Sequence, residues 1–161
     1  MSGNVGSQTT ICGLAGNTEQ QTMTDLAASF QKVQAGYLPD HLGMEWSSAE
    51  VGRVEGRLAV EAYHLAPHGR LHAATVVALA DTACGFGCRA MIPAEAYFTT
   101  VELKANFLGT LQQGTISCIA KVVHAGRTTQ VWDAEVRNEE DNKLIALFRC
   151  TQMILYPDER K

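Results

Sequence analysis

The sequence predicts an α+β fold, one antiparallel sheet curled around one central helix, and three observations carry the prediction. The segment "LHAATVVALADTACGFGCRAM" (residues 71–91) is long for a strand and apolar nearly all round, which marks a helix buried on most sides. Other segments alternate apolar and polar residues with a period of two, the pattern of strands with one face in a core. The later ones are joined mostly by short turns, which imply antiparallel neighbours. With 161 residues the chain is long enough for one such domain around a single core.

Residues 1–22 are rich in Gly, Ser, Thr, Asn and Gln without any period and read as a mobile tail. The domain is expected over 23–156, with 157–161 as a polar C-terminal tail. In "TMTDLAASFQKVQAG", Leu26, Phe30 and Val33 recur at helical spacing, with Thr24 or Asp25 as a cap and Gly36 as a stop. "YLPDHLG" reads as a loop. A strand follows at about 44–48, then a turn near 49–52. In "RVEGRLAVEA", Val54, Leu58 and Val60 alternate with Arg53, Glu55, Arg57 and Glu61. After the long helix come four more strands, "TVELKANF", "TISCIAKVV", "TTQVWDAEVR" and "LIALFRCTQMIL". In the first, Val101, Leu103, Ala105 and Phe107 alternate with Glu102, Lys104 and Asn106. Gly85 and Gly87 either weaken the far end of the long helix or permit close packing there.

The composition excludes several classes of function. A formal net charge of −4 argues against general nucleic-acid binding, which wants a basic face. No apolar run reaches the ~20 residues that cross a bilayer. The first basic residue is Lys32, so the positive start of a secretory signal is missing. Five cysteines in scattered contexts read as reduced thiols of a cytoplasmic protein. Cys84 and Cys88 share a helix face, but two thiols without further ligands read as small core residues rather than a zinc site.

The stretch "HLAPHGRLHAATVVALAD" holds His64, His68 and His72 at four-residue spacing and ends on Asp81. Pro67 and Gly69 break any regular helix between the histidines, so they read as separate positions, solvated loop histidines rather than a metal site. Asp81 is the stronger signal. It lies well inside the apolar helix with no Lys or Arg three or four residues away. A carboxylate in such a wall is costly unless paired, titrates abnormally, and marks either a functional site or a hydrogen bond to backbone or a strand side chain. At the helix start, the amides of Ala73 and Ala74 are expected as free first-turn donors that can stabilise a carbonyl oxygen gaining charge. Eight residues of helix separate Ala73 from Asp81, a rise of roughly 12 Å. One carbonyl cannot meet both within a chain, so the helix start must come from a second subunit.

These residues, "GRLHAATVVALAD" with "TTVELKANFLGTLQQG" and "VVHAGRTTQVWDAEVRNEEDNKLIA" after it, resemble the hotdog-fold thioesterases of the phenylacetic-acid-degradation and 4-hydroxybenzoyl-CoA thioesterase group. The resemblance runs from about Leu42 to Leu155. It implies a sheet wrapped around a helix, homodimers or homotetramers with active sites between subunits, and hydrolysis of acyl-CoA thioesters with an aromatic or short- to medium-chain acyl group. Asp81 matches the catalytic carboxylate, as nucleophile or general base. Ala73 matches the amide that polarises the carbonyl, and His72 a positioning histidine. Thr100 matches a Ser or Thr that orients the attacking water from the partner subunit. Gly126, Arg127 and Thr128 match a segment that meets the pantetheine or phosphates of CoA, Arg127 through charge-assisted hydrogen bonds unless it is a solvated hairpin residue. No metal and no cofactor is implied, CoA being part of the substrate.

The chain departs from the family pattern in two places. Ala73 and Ala74 replace paired glycines, and Ala66 stands where many members carry Gln or Asn, an amide for which His68 could substitute. These departures motivate an alternative, a non-catalytic protein that binds acyl-CoA. A hotdog dehydratase would carry a motif such as D-x-N-P-x-H, and none occurs.

Overall fold

The structure, a computed structural model, describes residues 25–157. The expected N-terminal tail, the Thr24 cap and residues 158–161 lie outside the described residues. Residues 25–33 are helical (α1), and Gly36 follows with a positive φ of 79°. The expected loop contains one helical turn, Leu38–His41 (α2). Two strands, Met44–Glu50 (β1) and Arg53–Ala59 (β2), precede a 3-10 turn at Ala62–His64. The long helix is Ala73–Met91 (α3). Four strands complete the chain: Tyr97–Phe107 (β3), Thr115–Ala125 (β4), Thr129–Asn138 (β5) and Leu144–Leu155 (β6).

The six strands form one antiparallel sheet in the order β1-β2-β4-β5-β6-β3. α3 packs against five of them, with further contacts to β1. Its inner face, Leu79, Ala80, Ala83, Cys84 and Cys88, is fully buried against Val54, Leu58, Ile116, Cys118, Ala120, Trp132, Val136 and Cys150. These sheet residues are the apolar phase of alternating strands, so burial follows the pleat. Gly87 lies on the indole of Trp132 and Gly85 on the ring of Phe98. The helix continues through both, so their role is close packing rather than fraying.

His64 departs from the solvated loop expectation. It is 1% exposed. Its Nδ1 accepts from the Glu61 amide at 2.9 Å, which leaves the proton on Nε2 to donate to Leu42 O at 3.1 Å. Its own carbonyl accepts from His72 N–H and Thr75 Oγ1, tying the loop to the start of α3. Burial lowers its pKa and keeps the ring neutral. No helix among the described residues is long and apolar enough to cross a membrane.

β3 is an edge strand paired only with β6. Its register shifts between Thr100 and Glu102, where Val101 is left bulged out of the ladder. The shift places Thr100 opposite Gln152, on the side facing α3, while Glu102 and Lys104 stand on the outer face opposite Thr151 and Arg149.

Candidate active site

Asp81 sits in the middle of α3, half-buried, and its side chain meets β3. The Thr100 hydroxyl lies 3.1 Å from Asp81 Oδ1 and 3.0 Å from Gln152 Oε1. The residue at the expected Ser/Thr position thus reaches Asp81 of its own chain. Burial raises the Asp81 carboxyl above its ordinary range, and the Thr100 hydrogen bond partly offsets that. Asp81 also lines an apolar pocket of about 470 Å³ with Val33, Tyr37, Gly85, Phe86 and Phe98. One wall comes from α1 and the following loop, the other from α3 and β3.

The helix start is built as a second donor group. His72 is the N-cap, and its Nδ1 accepts from the Ala74 amide at 3.0 Å. Ala74 is thus not the free donor expected of it. The Ala73 amide has no protein acceptor among the described residues, and Ala73 is exposed. With Nδ1 accepting, the His72 ring carries its proton on Nε2.

The remaining expected residues do not gather at Asp81 within the chain. His68 is exposed at the tip of a turn closed by the Leu65–Leu71 bridge, on the helix-start side. Gly126, Arg127 and Thr128 form the β4–β5 hairpin, outside the Asp81 pocket. There the Arg127 guanidinium lies 5.5 Å from the Tyr156 ring centre, and Tyr156 Oη donates to Arg127 O. The four described cysteines are free and buried, and burial raises Cys88 to about 11. Among the described residues no group of three potential ligands could hold a metal ion.

A family model described as the thioesterase superfamily matches residues 68–145, the span from the loop before α3 to the start of β6. A 1,4-dihydroxy-2-naphthoyl-CoA hydrolase of Listeria monocytogenes is 32% identical over 71% of this chain and 92% of the relative. The chain belongs to the thioesterase superfamily. The enzyme is a thioester hydrolase of the hotdog fold. The acyl-coenzyme A thioesterase PaaI of Escherichia coli is 33% identical over 67% of the chain and 75% of its own length. Among solved structures, a Haemophilus influenzae thioesterase superposes with a TM-score of 0.77 at 26% identity, covering 83% of this chain and 93% of the other.

Two features of the enzyme's site were not read from its sequence. The pocket wall from α1 joins residues distant along the chain, and nothing local announces it. Gln152 did leave a signal: it occupies the apolar phase of β6, between the buried Cys150 and Ile154. The Thr100 contact leads to an expected result. Thr100→Val removes the hydrogen bond that lowers the Asp81 pKa, so the acidic limb of kcat/KM is expected to move to higher pH, read from thiol release across a pH series.

Proposed function

We propose that the enzyme is an acyl-CoA thioesterase in which Asp81 carries the chemistry. The observation that supports this most is the placement of Asp81, a half-buried carboxylate on the Thr100 hydroxyl in the wall of an apolar pocket. The pocket takes the acyl group. Its aromatic and aliphatic lining suits an aromatic or short- to medium-chain acyl group. Asp81 acts on the thioester carbon as nucleophile, or draws a proton from a water that attacks it. As the carbonyl oxygen gains charge it is met by the Ala73 amide at the positive end of a helix. Collapse expels the CoA thiolate, which takes up a proton; on the water route this leaves the free acid, and on the nucleophile route it leaves a mixed anhydride with Asp81 that a water then hydrolyses to the free acid. Single turnover in ¹⁸O-water separates the two routes, since only the nucleophile route labels Asp81 itself.

The Ala73 amide is that of the partner subunit in this reading. β3 supports a dimer: Val101, Leu103 and Phe107 are exposed along a free sheet edge. Exposed apolar edges pair with another chain. A dimer or dimer of dimers through this edge unites Asp81 of one subunit with the helix start of the other. The Arg127 hairpin and His68 serve the CoA portion, and no cofactor is needed beyond the CoA of the substrate. Buried reduced thiols suit a cytoplasmic enzyme. Leu103→Glu is expected to yield a folded monomer with hydrolysis reduced about 100-fold, checked by light scattering and thiol release.

The direct test is a CoA-thioester panel of short, medium, long and aromatic acyl groups, read by released thiol. Release from aromatic or short- to medium-chain esters supports the proposal. Thermal stabilisation by acyl-CoA with no release from any ester replaces it with the binding-protein reading that Ala66, Ala73 and Ala74 motivate.

A further inference from the structure

Thr100 and Gln152 stand opposite each other across β3 and β6, and Gln152 stands opposite Gln130 on β5. This polar row runs along the side of the sheet that faces α3, and both glutamines are buried, Gln152 completely. A buried amide costs free energy unless its polar atoms find partners. Gln130 has a packing role, its Oε1 accepting from Trp132 Nε1 at 2.9 Å. Gln152 faces the active site. Its Oε1 lies against Thr100 Oγ1, and its Nε2 is 3.4 Å from Cys150 Sγ.

The Thr100 hydroxyl has a single hydrogen. With Asp81 ionised, that hydrogen stands between two acceptors, Asp81 Oδ1 and Gln152 Oε1. A half-turn of the Gln152 amide exchanges its oxygen and nitrogen within the same volume. Nε2 then donates to Thr100 Oγ1, and the hydroxyl hydrogen is free for the carboxylate. Oε1 then accepts from the Cys150 thiol. Every donor along Cys150, Gln152 and Thr100 then points toward Asp81, and aligned donors strengthen one another. The reverse orientation, Thr100 donating to Gln152, turns an oxygen lone pair toward Asp81 and suits the protonated acid.

We propose that Gln152 is a positioning residue for thioester hydrolysis, its amide donating to Thr100 Oγ1 and so committing the hydroxyl hydrogen to the charged Asp81 carboxylate. This rests on the role of Asp81 argued above and adds the group that sets the direction of its hydrogen bond. Gln152 touches no substrate and acts through Thr100. Among the described residues, the titratable side chains near Asp81 are Cys84 on its own helix and Tyr37 across the pocket, with Cys150 behind Gln152.

The test is a double-mutant cycle on the full-length enzyme with the best ester of the panel. Gln152→Met keeps the length of the side chain and removes the amide. It is expected to lower kcat about tenfold with KM within about twofold of wild type. In a Thr100→Val background the same change is expected to alter kcat by less than about twofold, because the path to Asp81 is already cut. Losses that multiply in the double variant, or an unchanged kcat in Gln152→Met, overturn the proposal. A wild-type measurement covers a variant that does not fold. The side-chain amide protons of Gln152, followed by NMR, are expected to shift with the midpoint of the Asp81 carboxyl. Resonances that stay fixed through that midpoint also overturn it. Asp81→Asn is assayed alongside: full activity there refutes the Asp81 mechanism, whereas activity lost there and kept in Gln152→Met refutes the relay alone.

Discussion

Asp81→Asn is expected to reduce kcat for acyl-CoA hydrolysis by about 1000-fold while the protein stays folded, the size of effect that follows loss of a catalytic base. The measurement is thiol release together with a thermal melt. Asparagine keeps the shape and still accepts from Thr100, but it neither takes a proton nor attacks a carbonyl. The stability effect has the opposite sign to the activity effect. Burial raises the Asp81 pKa, so the folded chain holds this proton to higher pH than the unfolded chain does. As pH rises from the unfolded carboxyl value near ~4 through the folded one, the unfolded state ionises first and stability falls. At neutral pH Asp81 therefore weakens the fold, and the Asn variant is expected to melt no lower than wild type. In the proposed mechanism the reaction uses that charge, which gives a reason for a destabilising carboxylate in so apolar a helix. Hydrolysis at the wild-type rate by the Asn variant would remove Asp81 from the mechanism.

Gly87→Ala is expected to destabilise the fold by about 2 kcal/mol even though alanine is the better helix former by about 1 kcal/mol. A Cβ at this position would stand only 2.3 Å from Cη2 of Trp132. That ring is no flexible neighbour. It is completely buried, and its Nε1 is held by Gln130. Either α3 lifts off the sheet or Trp132 leaves its hydrogen bond. The check is urea denaturation, with the midpoint lowered and the slope unchanged. Because the lift would tilt α3 one and a half turns from Asp81, activity should fall with stability. An alanine variant as stable as wild type would show that the sheet yields there at little cost.

The layout of the fold was legible because it depends on local periodicity. The apolar length of residues 71–91 leaves only a buried helix, although its first two residues belong to the cap and the loop before it rather than to the helix. The alternation of Trp132, Ala134 and Val136 with Asp133, Glu135 and Arg137 places the first three on one face of a strand, and that face is found in the core. Asp81 was legible for the same reason, since a lone carboxylate in an apolar segment stands out without any tertiary knowledge. The Gly85–Gly87 pair was half legible. Close packing was one of two readings, and only the partner rings, Phe98 and Trp132, decide it.

Contacts that arise from register and from distant segments were not legible. The sequence separates His64, at a strand end, from His72, at a helix start, but does not show that the first is a buried splice between loop and helix and the second an exposed cap. The Ala74 amide is closed by the His72 ring, a matter of side-chain rotation that residue types do not dictate. Thr100 is the sharpest case. Strict alternation from Leu103 puts Thr100 on the outer face with Glu102 and Lys104, away from Asp81. The bulge at Val101 reverses that phase. One residue without a partner in the ladder turns the hydroxyl inward, onto Asp81 and Gln152. Period and polarity along the chain determine the helix, the strands and the lone acid. Which side chains meet that acid depends on strand register, and register is set only when the sheet assembles and closes on the helix.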